Sequence, residues 1–88
     1  MHWKINWDER AAAELKKLDR QSQKDIIKYL NNRIASSETP QSFGKALSGN
    51  FTGLWRYRVG DYRLICLITK DAFTVLVLRV GHRKNVYD

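Results

Sequence analysis

The sequence predicts an α+β domain with two N-terminal helices packed on one face of an antiparallel β-sheet, in the order β-α-α-β-β-β. Three observations carry that expectation. Trp3, Ile5 and Trp7 alternate with polar residues, two later stretches place apolar residues at helical spacing, and from Leu54 onward β-prone runs are separated by short turn signals. With 88 residues, positions 1–88 form one domain near the lower end of what a single core supports.

The opening strand is read from the period-two pattern of residues 2–7. Asp8 is placed to cap the first helix, with Glu9 in its first turn, where a negative charge suits the helix dipole. Ala11, Leu15 and Leu18 supply its apolar face. Ser22 with Asp25 reads as a capping box for the second helix, whose stripe is Ile26, Ile27, Leu30 and Ile34, while Lys24, Lys28 and Arg33 point to solvent. From Ser36 to Gly53 the composition shifts to Ser, Thr, Pro, Gly and Asn, as in a surface connection. Phe43, Leu47 and Phe51 are its expected anchors.

The stretch Leu54-Trp55-Arg56-Tyr57-Arg58-Val59-Gly60-Asp61-Tyr62-Arg63-Leu64-Ile65 organises the rest. Gly60-Asp61 suits a two-residue hairpin turn, which sets Val59 opposite Tyr62, Arg58 opposite Arg63, Tyr57 opposite Leu64, Arg56 opposite Ile65 and Trp55 opposite Cys66. One face then carries Trp55, Tyr57, Val59, Tyr62, Leu64 and Cys66 and belongs to the core. The other gathers Arg56, Arg58 and Arg63. Like charges directly opposite on a sheet repel, so an anion is the natural reason for the cluster. Ile65–Thr69 reads as a central strand and Lys70-Asp71 as a second tight turn. Phe73–Val80 is the next strand, with Val80 beside Asp61. Gly81-His82-Arg83 then leaves the sheet at the end where the arginines lie.

The formal charge is +7, and it is uneven: residues 1–53 hold nine Lys/Arg against six Asp/Glu, residues 54–88 seven against three. That balance fits a polyanionic partner, nucleic acid above all. After Glu38 the acidic residues are Asp61, Asp71 and Asp88, which argues against two-carboxylate chemistry and carboxylate-bound magnesium. Cys66 is the single cysteine and reads as a small buried hydrophobe, so neither an internal disulfide nor a cysteine-based metal site is expected. No signal peptide or membrane span is legible, and the expected location is the cytoplasm, with no membrane partner. Arginine, tyrosine and a lone histidine at one end of a sheet suit phosphodiester chemistry without metal or other cofactor, in which guanidinium groups neutralise charge developing on phosphorus.

The run Gly44-Lys45-Ala46-Leu47-Ser48-Gly49-Asn50, the segment Gly53–Leu64 and the ending Arg79-Val80-Gly81-His82-Arg83-Lys84-Asn85-Val86-Tyr87 together resemble the RelE-type toxins of bacterial toxin–antitoxin modules. The likeness spans nearly the whole chain. It implies a microbial-ribonuclease-like fold and a toxin that enters the ribosomal A site and cleaves mRNA by attack of a 2′-hydroxyl on the adjacent phosphate, without metal. Carried over by position, it implies catalytic roles for Arg58, Arg63, Arg83 and Tyr87. Arg63 would bind phosphate, Arg83 stabilise charge or act as acid, and Tyr87 stack on a base. Arg56, Lys45, Lys84 and His82 would contact RNA. The best-known relatives carry lysines where Arg56 and Arg58 stand, and arginine does not deprotonate in proteins, so the proton acceptor is left open among solvent, a ribosomal RNA group and Tyr87. The resemblance further implies a cognate antitoxin that blocks the site, with operator DNA bound only by the joint complex. Two other readings stand beside this one: a ParE-like gyrase poison on the same fold, and a non-catalytic basic module that binds nucleic acid or an operator.

Overall fold

The structure is a computed structural model and describes residues 2–82. Strand β1 (Lys4–Trp7) leads into α1 (Glu9–Lys16) and α2 (Arg20–Tyr29), and α2 runs on into a π-helical turn at Leu30–Ile34. A connection with short 3-10 turns at Pro40–Phe43 and Gly49–Phe51 holds the two-residue strand β2 (Lys45–Ala46). Strands β3 (Leu54–Val59), β4 (Tyr62–Thr69) and β5 (Thr74–His82) complete a five-stranded sheet in the order β1-β5-β4-β3-β2. None of the described helices is long and apolar enough to cross a membrane.

The predicted α+β order is present, with one parallel pair added to the expected antiparallel sheet. The chain leaves β1 through the helices and re-enters at the other edge, so β1 lies parallel to β5, with Lys4 beside Thr74 and Trp7 beside Val77. The Lys4 amide donates to the Phe73 carbonyl at 2.7 Å and the Asp8 amide to that of Val77 at 2.9 Å.

Asp8 caps α1 as expected, its carboxylate accepting from the Arg10 amide. The cap of α2 lies three residues earlier than the sequence suggests. Asp19 accepts from the Ser22 amide at 3.1 Å and from its hydroxyl at 2.6 Å, so Ser22 sits inside the helix. Those two Ser22 bonds also hold the Asp19 carboxyl below its ordinary range. The predicted stripe is buried at Ile26, Leu30 and Ile34, but Ile27 stays 42% exposed. The core joins these residues, with Trp3, Ala11 and Leu15, to Tyr57, Leu64, Cys66, Val75, Val77 and Val80 on one face of the sheet. Trp55 lies at the edge of that face, half-buried beside Trp3, Ile68 and Phe73.

Of the expected anchors of the connection, Leu47 and Phe51 are partly buried and Phe43 is not. Phe43 is 41% exposed, and the buried residue is Pro40, whose carbonyl accepts a 2.8 Å bond from the Tyr57 hydroxyl. Gly44 is required at this contact, because a Cβ there would stand 2.9 Å from the Tyr57 ring and 3.0 Å from the Arg56 carbonyl. Burial pushes the Tyr57 phenol well above its usual range, so it stays a donor.

The β3–β4 hairpin has the predicted register at every pair from Trp55–Cys66 to Val59–Tyr62. Gly60 supplies the positive φ, 58°, that the two-residue turn demands. The β4–β5 hairpin does not follow prediction. Its turn takes four residues, Lys70–Phe73, so Thr69 pairs with Thr74, and a bulge between Ile65 and Cys66 adds one more. Val80 therefore faces Leu64, not Asp61, and Gly81 faces Arg63.

A basic sheet face as the candidate functional site

The face of the sheet turned away from the helices collects the charged side chains. Cross-strand partners point the same way, which places Lys45, Arg56, Ile65 and Arg79 in one row across β2, β3, β4 and β5. The next row holds Arg58, Arg63 and Gly81. Ile65, 4% exposed, forms an apolar floor between the basic groups. Gly81, opposite Arg63, adds no side chain to that row. Arg58 is exposed, and its Nε reaches the Gly60 carbonyl at 3.3 Å. Arg63 lies deeper, with Nε and Nη1 out of contact with solvent.

Of the residues singled out in the sequence, the fold thus brings Lys45, Arg56, Arg58 and Arg63 onto one surface. His82 does not join them. It pairs with Tyr62 on the helix side of the sheet, the two rings edge-to-face with centroids 5.8 Å apart. Arg83, Lys84 and Tyr87 lie outside the described residues. Cys66 is fully buried, and burial lifts its thiol to about 12, so it stays a protonated core residue. Among the described residues, no three His, Cys, Asp or Glu side chains gather into a candidate metal site.

Two residues of this surface were not singled out in advance. Arg79 enters the first row because the bulge changes the phase of β5. Had the pairing of Cys66 with Val77 run on without a bulge, Arg79 would lie opposite Leu64 in the core and Val80 opposite Arg63. A charge at a core position of an alternating strand is the sequence mark of the extra residue. The second residue is Glu14 of α1. Beyond Trp7 the β1 strand ends, and Glu14 takes its place along the β5 edge. Its Oε1 accepts from the Val80 amide at 2.9 Å, and its two oxygens receive Arg79 Nε at 3.2 Å and Nη2 at 3.1 Å. Burial works to raise the Glu14 pKa, but the bonds from Arg79 and Val80 and the charges of Arg79 and Arg10 outweigh it and hold the carboxyl below its ordinary value.

Comparison with known proteins places this architecture. A family model described as the ParE toxin of the type II toxin–antitoxin system parDE matches residues 5–87. Toxin RelG of Mycobacterium tuberculosis is 29% identical over 87 residues, covering 99% of this chain and 98% of that protein. The toxin–antitoxin complex RelBE2 of the same organism superposes with a TM-score of 0.87 at 26% identity, over 97% of this chain and 95% of the other. The fold is shared by a free mutant of the Escherichia coli RelE toxin, with a TM-score of 0.76 at 23% identity, over 96% and 86% of the two chains.

Proposed function

The chain belongs to the ParE toxin family of type II toxin–antitoxin systems, and we propose that it is a toxin that cleaves messenger RNA in the ribosomal A site. The observation that carries this reading is the double row of basic side chains, Lys45, Arg56 and Arg79 beside Arg58 and Arg63, on the face of the sheet turned away from the helices. A backbone of phosphates laid along that face meets the cations of Lys45, Arg56, Arg58, Arg63 and Arg79, with Ile65 between them.

In the reaction, the ribose 2′-oxygen forms a bond to the adjacent phosphorus and the bond from phosphorus to the 5′-oxygen breaks. The products are a 2′,3′-cyclic phosphate and a 5′-hydroxyl. Negative charge grows on the non-bridging oxygens in the transition state, and Arg58 and Arg63 stabilise it where it grows. Arg56 and Lys45 hold neighbouring phosphates. Arg83 and Tyr87 follow His82 in sequence, and we assign them charge stabilisation or proton donation and base stacking, with Lys84 as a further RNA contact. The arginines remain charged throughout, so the 2′-proton leaves to solvent, to a ribosomal RNA group or to Tyr87.

The solved relatives include toxin–antitoxin complexes, which supports a cognate antitoxin as the physiological partner, with operator DNA engaged by the joint complex. The matching family carries the ParE name, and a ParE-like gyrase poison is the second reading. Controlled expression in bacteria separates the two. Cuts confined to translated frames, mapped by primer extension, support mRNA cleavage. Intact messages together with inhibited supercoiling overturn it.

A further inference from the structure

Beside the first basic row lies a pocket of about 330 Å³, at the small end of ligand pockets and large enough for a single nucleobase. Its apolar lining is Phe51, Leu54, Ile65 and Leu78, and its polar lining is Asp8, Arg10 and Arg79. Ile65 and Arg79 belong both to this pocket and to the row that continues through Arg56 and Lys45. A strand held by that row therefore passes the pocket mouth.

We infer that this pocket is a base subsite: it takes one unstacked nucleobase of the bound RNA and prefers bases with an exocyclic amino group to uracil. The inference rests on the RNA-cleaving reading above. Single-stranded RNA is recognised by bases splayed out of the stack onto apolar and aromatic surfaces and read along their polar edges. Here Phe51 and the aliphatic side chains supply the surface. Asp8 supplies the edge contact: one carboxylate oxygen, Oδ2, is held by the Arg10 amide at 3.1 Å, and Oδ1 is an acceptor for an amino group. Adenine, cytosine and guanine carry such a group, whereas uracil's one edge donor, N3–H, lies between two carbonyl oxygens that a carboxylate repels. Arg79 is fixed in place by Glu14, so the cation at the rim is set before RNA arrives and loses little freedom on binding.

The test is single-turnover cleavage on programmed ribosomes, using A-site codons in which each position carries A, C, G or U in turn. The unaltered protein should disfavour uracil about tenfold in kcat/KM at one position. Asp8→Asn keeps the helix cap, since Asn caps as well as Asp. Its amide adds a donor that uracil accepts, so the discrimination should shrink below about threefold. Leu78→Trp, which fills the pocket, should raise KM and erase the preference, with cleavage of every codon still measurable. Base ratios equal in all three proteins, or no preference in the unaltered one, would overturn the inference. So would unchanged ratios combined with weakened antitoxin binding, which would assign the pocket to the antitoxin. Absence of any cleavage by the unaltered protein would instead remove the reading of the toxin as a ribonuclease.

Discussion

Between β3 and β4 the chain reverses on two residues, Gly60 and Asp61, and every pair behind the turn falls into step. Between β4 and β5 it spends four residues on the turn, pairs from Thr69–Thr74 to Cys66–Val77, and then shifts by a bulge before pairing on to Tyr62–His82. Both hairpins share β4, and both include Arg63, which faces Arg58 on one side and Gly81 on the other. They differ in what sets their register. In the first, the positive φ of a glycine and the alternation of core and arginine suffice, and all are local. In the second, the phase is held by a carboxylate 65 residues away on α1, which accepts from Arg79 and satisfies the Val80 amide beyond the end of β1. A hairpin of local origin tolerates changes elsewhere; a hairpin phased by a distant side chain does not.

Arg63 lies on the strand both hairpins share, between Arg58 and Gly81, and its loss should have the largest consequence. Arg63→Ala is expected to lower single-turnover cleavage of a ribosome-bound message about 10²-fold, the scale of removing one preorganised charge stabiliser, with an unchanged circular dichroism spectrum. Near-normal cleavage would take Arg63 out of the site.

Breaking the second hairpin comes next. Glu14→Ala leaves the Val80 amide and the Arg79 guanidinium without their acceptor and should cost about 1–3 kcal/mol in urea unfolding, with reduced amide-exchange protection along Gly81 and His82. The same carboxyl predicts an acid limb. Its folded pKa is lowered, so its stabilisation is present above the ordinary glutamate range and fades as pH falls through the lowered value. Glu14→Gln should flatten the loss of stability below about pH 4 that the unaltered protein shows. Parallel acid melts of the two proteins would assign the limb to other carboxylates.

The first hairpin should respond only to a change in its own turn. Gly60→Ala forces a side chain into a left-handed conformation, φ 58°, and should cost about 1 kcal/mol, measured by thermal unfolding, with the bulge and the Glu14 contacts intact. Protection changes at Val80 would show that the two registers are coupled.

The smallest effect on stability belongs to Arg58→Gln. Arg58 is exposed and faces Arg63 directly, so its removal should change stability by no more than about 0.5 kcal/mol and weaken RNA and ribosome binding. A clear fall in melting temperature would tie Arg58 to a structural role.

Much of this molecule is written in short-range pattern. The alternation in Trp3–Trp7, the Asp8 cap, the Gly60-Asp61 turn and the opposition of Arg58 and Arg63 are each decided by neighbours in sequence, because strand parity, cap chemistry and turn φ are local properties. That is why the β3–β4 part of the basic face was legible before any coordinates. The parallel seating of β1 on β5, the buried Tyr57–Pro40 bond that closes the connection, and the bulge that turns Arg79 from the core to the basic face were decided only by tertiary structure. Each depends on where a helix or strand many residues away comes to rest, and a period-two reading carries one residue of error straight through to the strand's end. Local pattern supplies the side chains that can make a basic face; the packing of α1 against the β5 edge selects Arg79 among them, because there Glu14 accepts the Val80 amide beyond the end of β1.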